Sequence, residues 1–151
     1  MTNEELIKYL NENFPGVNVT QGNQFAEMTI GKDDLVNVAI KLKESQETRF
    51  DFLISLTGVD YSDCMGIIYH LESTKYRHIM VLKVKTSNRE EPLIDTLTDV
   101  WRTAKYHERE VYDLLGVKFN KHSDLRRLFL EDGWGFPLRK DYKDEVRIIE
   151  R

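Results

Sequence analysis

Cysteine is almost absent: Cys64 is the one thiol in 151 residues. That excludes a disulfide within the chain and any cluster site built from cysteines alone. Long apolar runs are missing too. None approaches the roughly 18–20 residues that a membrane-spanning helix needs, so contact with a membrane has to come through partners. The start, MTNEELIKYL, is acidic and lacks the basic-then-apolar order of a secretion signal, which predicts a cytoplasmic chain. There is no GxGxxG and no Walker A loop, so nucleotide binding has no support, and no serine sits in a GxSxG elbow. Repeats and low-complexity linkers are lacking. There is no excess of positive charge: the formal charge is −4, which disfavours nucleic acid or an acidic bilayer as partner.

What is present suits one soluble domain, with 40% hydrophobic and 32% charged residues. Thr2 with Glu5 three residues on forms a capping-box pattern. Leu6, Ile7, Leu10 and Phe14 follow at helical spacing, and Pro15-Gly16 stops the run. Val17–Thr20 and Phe25–Ile30 read as strands around a Gly22-Asn23 turn. A second helix opens at Gly31–Asp33, with Leu35, Val38, Ala39 and Leu42 on one face. Three strands follow, at Phe50–Val59, Met65–Leu71 and Arg77–Lys85. In the last of these, Ile79–Leu82 are all apolar, as expected of a strand covered on both faces. A helical stretch is expected after Pro92. Leu97, Val100, Trp101, Ala104, Val111 and Leu115 form its stripe, Lys105–His107 mark a candidate break, and Gly116 is its left-handed stop. Hairpins dominate this order, which predicts an α+β fold: a mixed or antiparallel sheet flanked by helices, with an extended C-terminal tail. The expected division is an α+β domain over 1–116 and an extended, partner-binding segment over 117–151.

Three catalytic readings compete with bland ones. His107, Glu108, Glu110, Asp113, His122 and Asp124 cluster in sequence, but valine at position 111 breaks the zinc-protease HExxH pattern. A solvated or ion-paired helix face explains these residues without a metal. Asp60 and Asp63 do not begin an EF-hand loop. Cys64 could pair with His70 or His78, but it lies in a turn without an oxyanion motif. The expectation is therefore no catalytic residue, no metal and no cofactor of the chain's own, with a stand-alone metal enzyme as the reading from another class.

Charge is unevenly spread. Before Lys105, 11 basic residues face 16 acidic ones; from Lys105 onward the numbers are 11 and 10. This C-terminal third is dense in both signs: a charged helix-like run ends at Gly116, and the tail after it is rich in Arg and aromatics, without a strong helix or strand period. Such composition suits a protein interface. Glu108 falls on the apolar stripe and needs a partner there. Arg126, Arg127 or Arg139 is expected to supply it, while Arg109 is expected to pair with Asp113 one turn on. The tail then has two readings: it folds back on its own domain, or it runs along another subunit, with Arg126, Arg127, Arg139 and Lys140 paired to acidic groups there and Leu128, Phe129, Trp134 and Phe136 as apolar anchors.

The order Glu108-Arg109-Glu110-x-Tyr112-Asp113-x-x-Gly116-Val117-x-Phe119, then His122-x-Asp124-Leu125-Arg126-Arg127, then Gly135-x-Pro137-Leu138-Arg139-Lys140-Asp141-Tyr142 resembles the 30 kDa subunit family of respiratory complex I. That family supplies the C subunit of bacterial NADH:quinone oxidoreductase. Ser123 stands where the family usually has proline, and Phe136 where it often has histidine. The resemblance implies a cofactor-free structural subunit of the peripheral arm, on the cytoplasmic side of the membrane. Its partners would be the quinone-site (49 kDa-type) subunit and iron–sulfur subunits. Relatives in membrane-bound energy-converting hydrogenases give the alternative setting. Glu108, Arg109, Glu110, Asp113, His122, Asp124, Arg126, Arg127, Trp134, Pro137, Arg139, Lys140 and Asp141 are the motif and partner-binding residues that it implies.

Overall fold

A computed structural model describes residues 1–144; the last seven residues of the expected tail, 145–151, lie outside the described residues. Helix α1 (Asn3–Asn13) starts at the capping box read from the sequence: the Thr2 hydroxyl accepts from the Glu5 amide, and Glu5 accepts from the Thr2 amide. Strands β1 (Asn18–Gln21) and β2 (Ala26–Ile30) form the first hairpin. A 3-10 turn at Lys32–Asp34 leads into α2 (Leu35–Glu44), which buries Leu35, Val38, Ala39 and Leu42 as its spacing predicts. Strands β3 (Phe52–Asp60), β4 (Met65–Glu72) and β5 (Ile79–Lys85) follow.

These five strands form one mixed sheet in the order β1-β2-β5-β4-β3, with β2 and β5 parallel and the other neighbours antiparallel. The α+β architecture is as expected. Strand β5 is central, and Met80, Val81 and Leu82 on it are all buried. Met80, Leu82 and Val84 are in register with Leu71, Tyr69 and Ile67 of β4 and with Ala26, Met28 and Ile30 of β2. These alternate positions share one face. They join Leu6 and Leu10 of α1, Leu35 and Leu42 of α2, and Val111 and Leu115 of the last helix in a single hydrophobic cluster.

The structure differs from expectation after Pro92. Leu93–Asp95 is a strand, β6, and the last helix, α3, runs from Ala104 to Leu115. β6 pairs in parallel with β7 (Lys118–Asn120), a second small sheet. That pairing spans α3 and leaves no local signal in the sequence. Between β6 and α3 the chain makes isolated helical turns, with Val100 and Trp101 amides both donating to the Leu97 carbonyl. The helical spacing of Leu97, Val100 and Trp101 is therefore real but covers one turn only. No break occurs at Lys105–His107, which lie inside α3. Val117 and Phe119 are buried in the same core as the sheet, so the chain beyond Gly116 begins as part of the domain.

A charged strap fastened to the last helix

Helix α3 is amphipathic in an unusual way: besides Val111 and Leu115 it buries Glu108, Arg109 and Asp113. It lies against β3, where Gly58 gives it room. A Cβ at Gly58 would come within 2.5 Å of Leu115 and 2.8 Å of Val111. It ends at Gly116, whose φ of +75° is the left-handed conformation that glycine adopts at no steric cost.

From Lys121 to Tyr142 the chain runs without regular structure, and several of its polar groups are spent on the end of α3. Helix C-termini leave carbonyls unsatisfied, and they favour cations. Here strap residues supply both donors and charge. Arg127 donates to the Asp113 carbonyl at 3.0 Å, the Leu138 amide to the Leu114 carbonyl at 3.0 Å, and Arg139 Nε to the Leu115 carbonyl at 2.7 Å. The guanidinium groups of Arg127 and Arg139 also lie over the Phe136 ring, at 5.4 and 5.0 Å from its centroid. Tyr112 meets that ring edge-on.

Two carboxylates fix the strap. Asp113, fully buried, accepts from Arg127 at 3.0 Å and from the Phe129 and Leu130 amides at 2.7 and 3.1 Å. Burial pushes its carboxyl up, but these donors outweigh that and hold it below the usual carboxylate range. Asp60, at the end of β3, accepts from Arg89 at 2.6 Å and from the Lys140 and Ser62 amides at 2.9 and 2.8 Å. Again burial acts upward, and the Arg89 and amide donors bring the carboxyl down to about 2. Arg89 bridges onward to Asp141 at 3.2 Å. Arg109 holds the strap from inside the helix, donating to the Arg126 and Arg127 carbonyls at 3.2 and 2.9 Å.

Two expected pairings are therefore corrected. Glu108 does not meet Arg126, Arg127 or Arg139. Its carboxylate accepts from Thr96 Oγ1 at 2.6 Å and from the Leu97 amide at 2.8 Å, with His122 Nε2 at 3.7 Å. Arg109 does not pair with Asp113, which belongs to Arg127. The causes differ: the chain between β6 and α3 supplies Thr96 and Leu97 to Glu108, whereas the strap takes Arg109 through its Arg126 and Arg127 carbonyls and Asp113 through Arg127. Burial raises the Glu108 carboxyl to about 7, against the lowering effect of its two donors.

The remaining motif residues divide by side of the strap. His122 is fully buried, taking the Asp124 amide on Nδ1 at 3.0 Å and facing the Lys105 carbonyl with Nε2 at 3.1 Å. Asp124 pairs with the exposed Arg126 at 2.9 Å. Pro137 is half-buried, and the Lys140 side chain and Asp141 are exposed. Glu110 lines a small hollow with Leu138 beside Gly58. Outward, Phe129 is 68% exposed, Leu138 60% and Trp134 40%. Thr96, Leu97, Asp60 and Arg89 carry much of this arrangement and had no signal in the sequence. Among the described residues, no group of three or more His, Cys, Asp or Glu is arranged to hold a metal ion.

The fold itself is a known one. It superposes with a TM-score of 0.81 on a chain of an archaeal respiratory membrane complex, the membrane-bound sulfane sulfur reductase, over 95% of this chain and 86% of that one at 22% identity. Residues 28–147 match the family described as respiratory-chain NADH dehydrogenase, 30 Kd subunit, and the chain belongs to that family. Among its relatives, the C/D subunit of the NADH-quinone oxidoreductase of Phocaeicola vulgatus is 48% identical over 110 residues, which are 72% of this chain and 21% of that protein. The C subunit from Chloroherpeton thalassium is 41% identical over 70% of this chain and 45% of its own length. The C subunit from Chlorobium phaeobacteroides is 40% identical over 74% of this chain and 69% of its own. The chain thus spans well under two thirds of the first two relatives.

Proposed function

We propose that this chain is a structural subunit of the peripheral arm of an NADH:quinone oxidoreductase, without catalytic residues or cofactors of its own. It sits on the cytoplasmic side of the membrane and docks on the quinone-site subunit, near subunits that carry iron–sulfur clusters. Family membership and relatives described as C subunits support the complex. The observation that carries the docking role is the sidedness of the strap. Its Arg127 and Arg139 side chains and the Lys140 amide are spent inward on α3 and Asp60, while Phe129, Trp134 and Leu138 face solvent in a segment without regular structure. Exposed aromatic and aliphatic side chains on a preordered segment lower the ordering cost of association.

The test is recovery of partner subunits from native membranes with the strap intact and with the chain cut after Lys121. The cut belongs there and not at Gly116, because Val117 and Phe119 are core residues. Loss of the quinone-site subunit with the folded domain retained supports the proposal. Full recovery with the truncated chain means that docking lies elsewhere.

A further inference from the structure

We propose that Glu108 is a proton-exchanging site of the folded subunit, reached from the surface through the Thr98 and Thr96 hydroxyls, and that its charge state sets how firmly His122 roots the strap. This inference is independent of which complex the subunit serves. It rests on the position of Thr96. A groove of about 420 Å³ lies between α2 and the β6–β7 pair, and Thr96 lines it along with Ile40, Asp95 and Asp99. The same residue's Oγ1 is 2.6 Å from the fully buried Glu108 carboxylate. One residue thus lines the groove and holds the buried acid.

The hydrogen bonds around Thr96 are satisfied in either protonation state. Thr96 Oγ1 lies 3.1 Å from Thr98 Oγ1 and accepts from the Thr98 amide at 3.2 Å. When Glu108 is ionised, the single Thr96 proton goes to its carboxylate. When Glu108 is protonated, the acid donates to Thr96 Oγ1 and the Thr96 proton turns to Thr98. Exchange balances through the neighbouring hydroxyl: the half-buried Thr98 takes a proton from hydronium, which leaves as water, and passes its own to Thr96 as Thr96 passes its own to Glu108; the reverse path returns it.

His122 carries the state of Glu108 to the strap. The Asp124 amide donates to Nδ1, which assigns a ring proton to Nε2, directed at the Lys105 carbonyl. Glu108 Oε2 is 3.7 Å from that nitrogen. An anionic carboxylate attracts the Nε2 proton through a medium of low dielectric, and a neutral one does not. The other groups facing Glu108 are few. Tyr69, from β4, is fully buried, makes no hydrogen bond through its hydroxyl among the described residues, and titrates upward through burial first and the Glu108 charge second. Arg109 and Asp113, on the same helix, are turned to the strap. At the groove, Asp95 accepts from Asn120 and Lys43 donates to the Val100 carbonyl, while Asp99 and Lys121 line its wall. A carboxyl shifted toward neutrality by its burial fits this setting.

The experiment is carboxyl ¹³C NMR of the full chain between pH 5 and 9, with amide exchange at Asp124, Phe129 and Leu130 corrected for the intrinsic chemical rate. Glu108→Gln identifies the Glu108 signal. A Glu108 midpoint near neutrality, strap protection that rises several-fold through that midpoint, and a flat profile in Glu108→Gln support the proposal. Thr96→Val removes the donor to the anion and should raise the midpoint; Thr96→Ser should restore it. If Glu108→Gln does not fold, the Val and Ser pair carries the test. A carboxyl that titrates near 4.5 overturns the proposal, as does strap protection unchanged across the titration or equally pH-dependent without Glu108.

Discussion

Replacing Asp113 by Asn should release the strap while leaving the domain folded. Asp113 is fully buried and accepts from the half-buried Arg127 and from two amides. Asn keeps the shape but has one acceptor oxygen, and its NH₂ group must face Arg127 or a main-chain N–H. Removing one partner of a buried ion pair costs about 3–5 kcal/mol when the other stays buried. Here it need not stay, because strap detachment returns Arg127 to water. The global loss is therefore capped at the strap's own closing free energy and does not exceed the local loss. The strap itself should lose about 2–3 kcal/mol of local protection, about 30- to 150-fold in its opening equilibrium. Hydrogen exchange of residues 124–142 reads this directly, with β4 and β5 as internal reference. The sign with pH is also fixed. Asp113 is held below its ordinary value, so its contribution is present above pH 3.8 and is lost as pH falls through the folded-state value. Strap exchange in Asp113→Asn equal to that of the wild type, at neutral pH, would refute the reasoning.

Three other outcomes follow from the same geometry. Glu108 has the opposite linkage: its folded-state carboxyl is raised to about 7 from 4.5, so its contribution is complete below pH 4.5 and is lost as pH rises through 7. Denaturant unfolding of the wild type against Glu108→Gln should show a difference that changes by about 3 kcal/mol between pH 4.5 and 8. Asp60, lowered to about 2, stabilises above pH 3.8 and loses that contribution towards pH 2. Asp60→Asn should remove about 2 kcal/mol of acid sensitivity from the same curves. Gly116→Ala should cost about 1 kcal/mol for the left-handed backbone, plus a clash. Its Cβ would lie 2.6 Å from Phe136 and 2.7 Å from Arg139, so thermal unfolding and strap exchange should both suffer.

Most of the domain was legible because its signals are local. The Thr2–Glu5 cap, the spacing of Leu35, Val38, Ala39 and Leu42, and the apolar run Ile79–Leu82 all depend on near neighbours. The last helix was misjudged because Leu97, Val100 and Trp101 hold helical spacing for one turn and then stop. The β6–β7 pair was invisible because parallel partners lie on either side of a whole helix. Burial of Glu108 followed from its place on the stripe, but its partners did not. Three arginines in the strap were the visible cations, whereas the structure uses the plain hydroxyl and amide of Thr96 and Leu97. Asp60 and Arg89 carried no motif: the ends of β3 and β5 come together across β4, and the strap joins them through the Lys140 amide and Asp141.

The central claim is that inward charges order the strap so that its outward apolar residues can dock. The most direct measurement is a co-purification from native membranes with Phe129, Trp134 and Leu138 each changed to Ser in one chain. Those residues are exposed, so the isolated variant should unfold within about 0.5 kcal/mol per site of the wild type. The account predicts loss of the quinone-site subunit from the recovered complex at unchanged stability. Recovery equal to the wild type would contradict it.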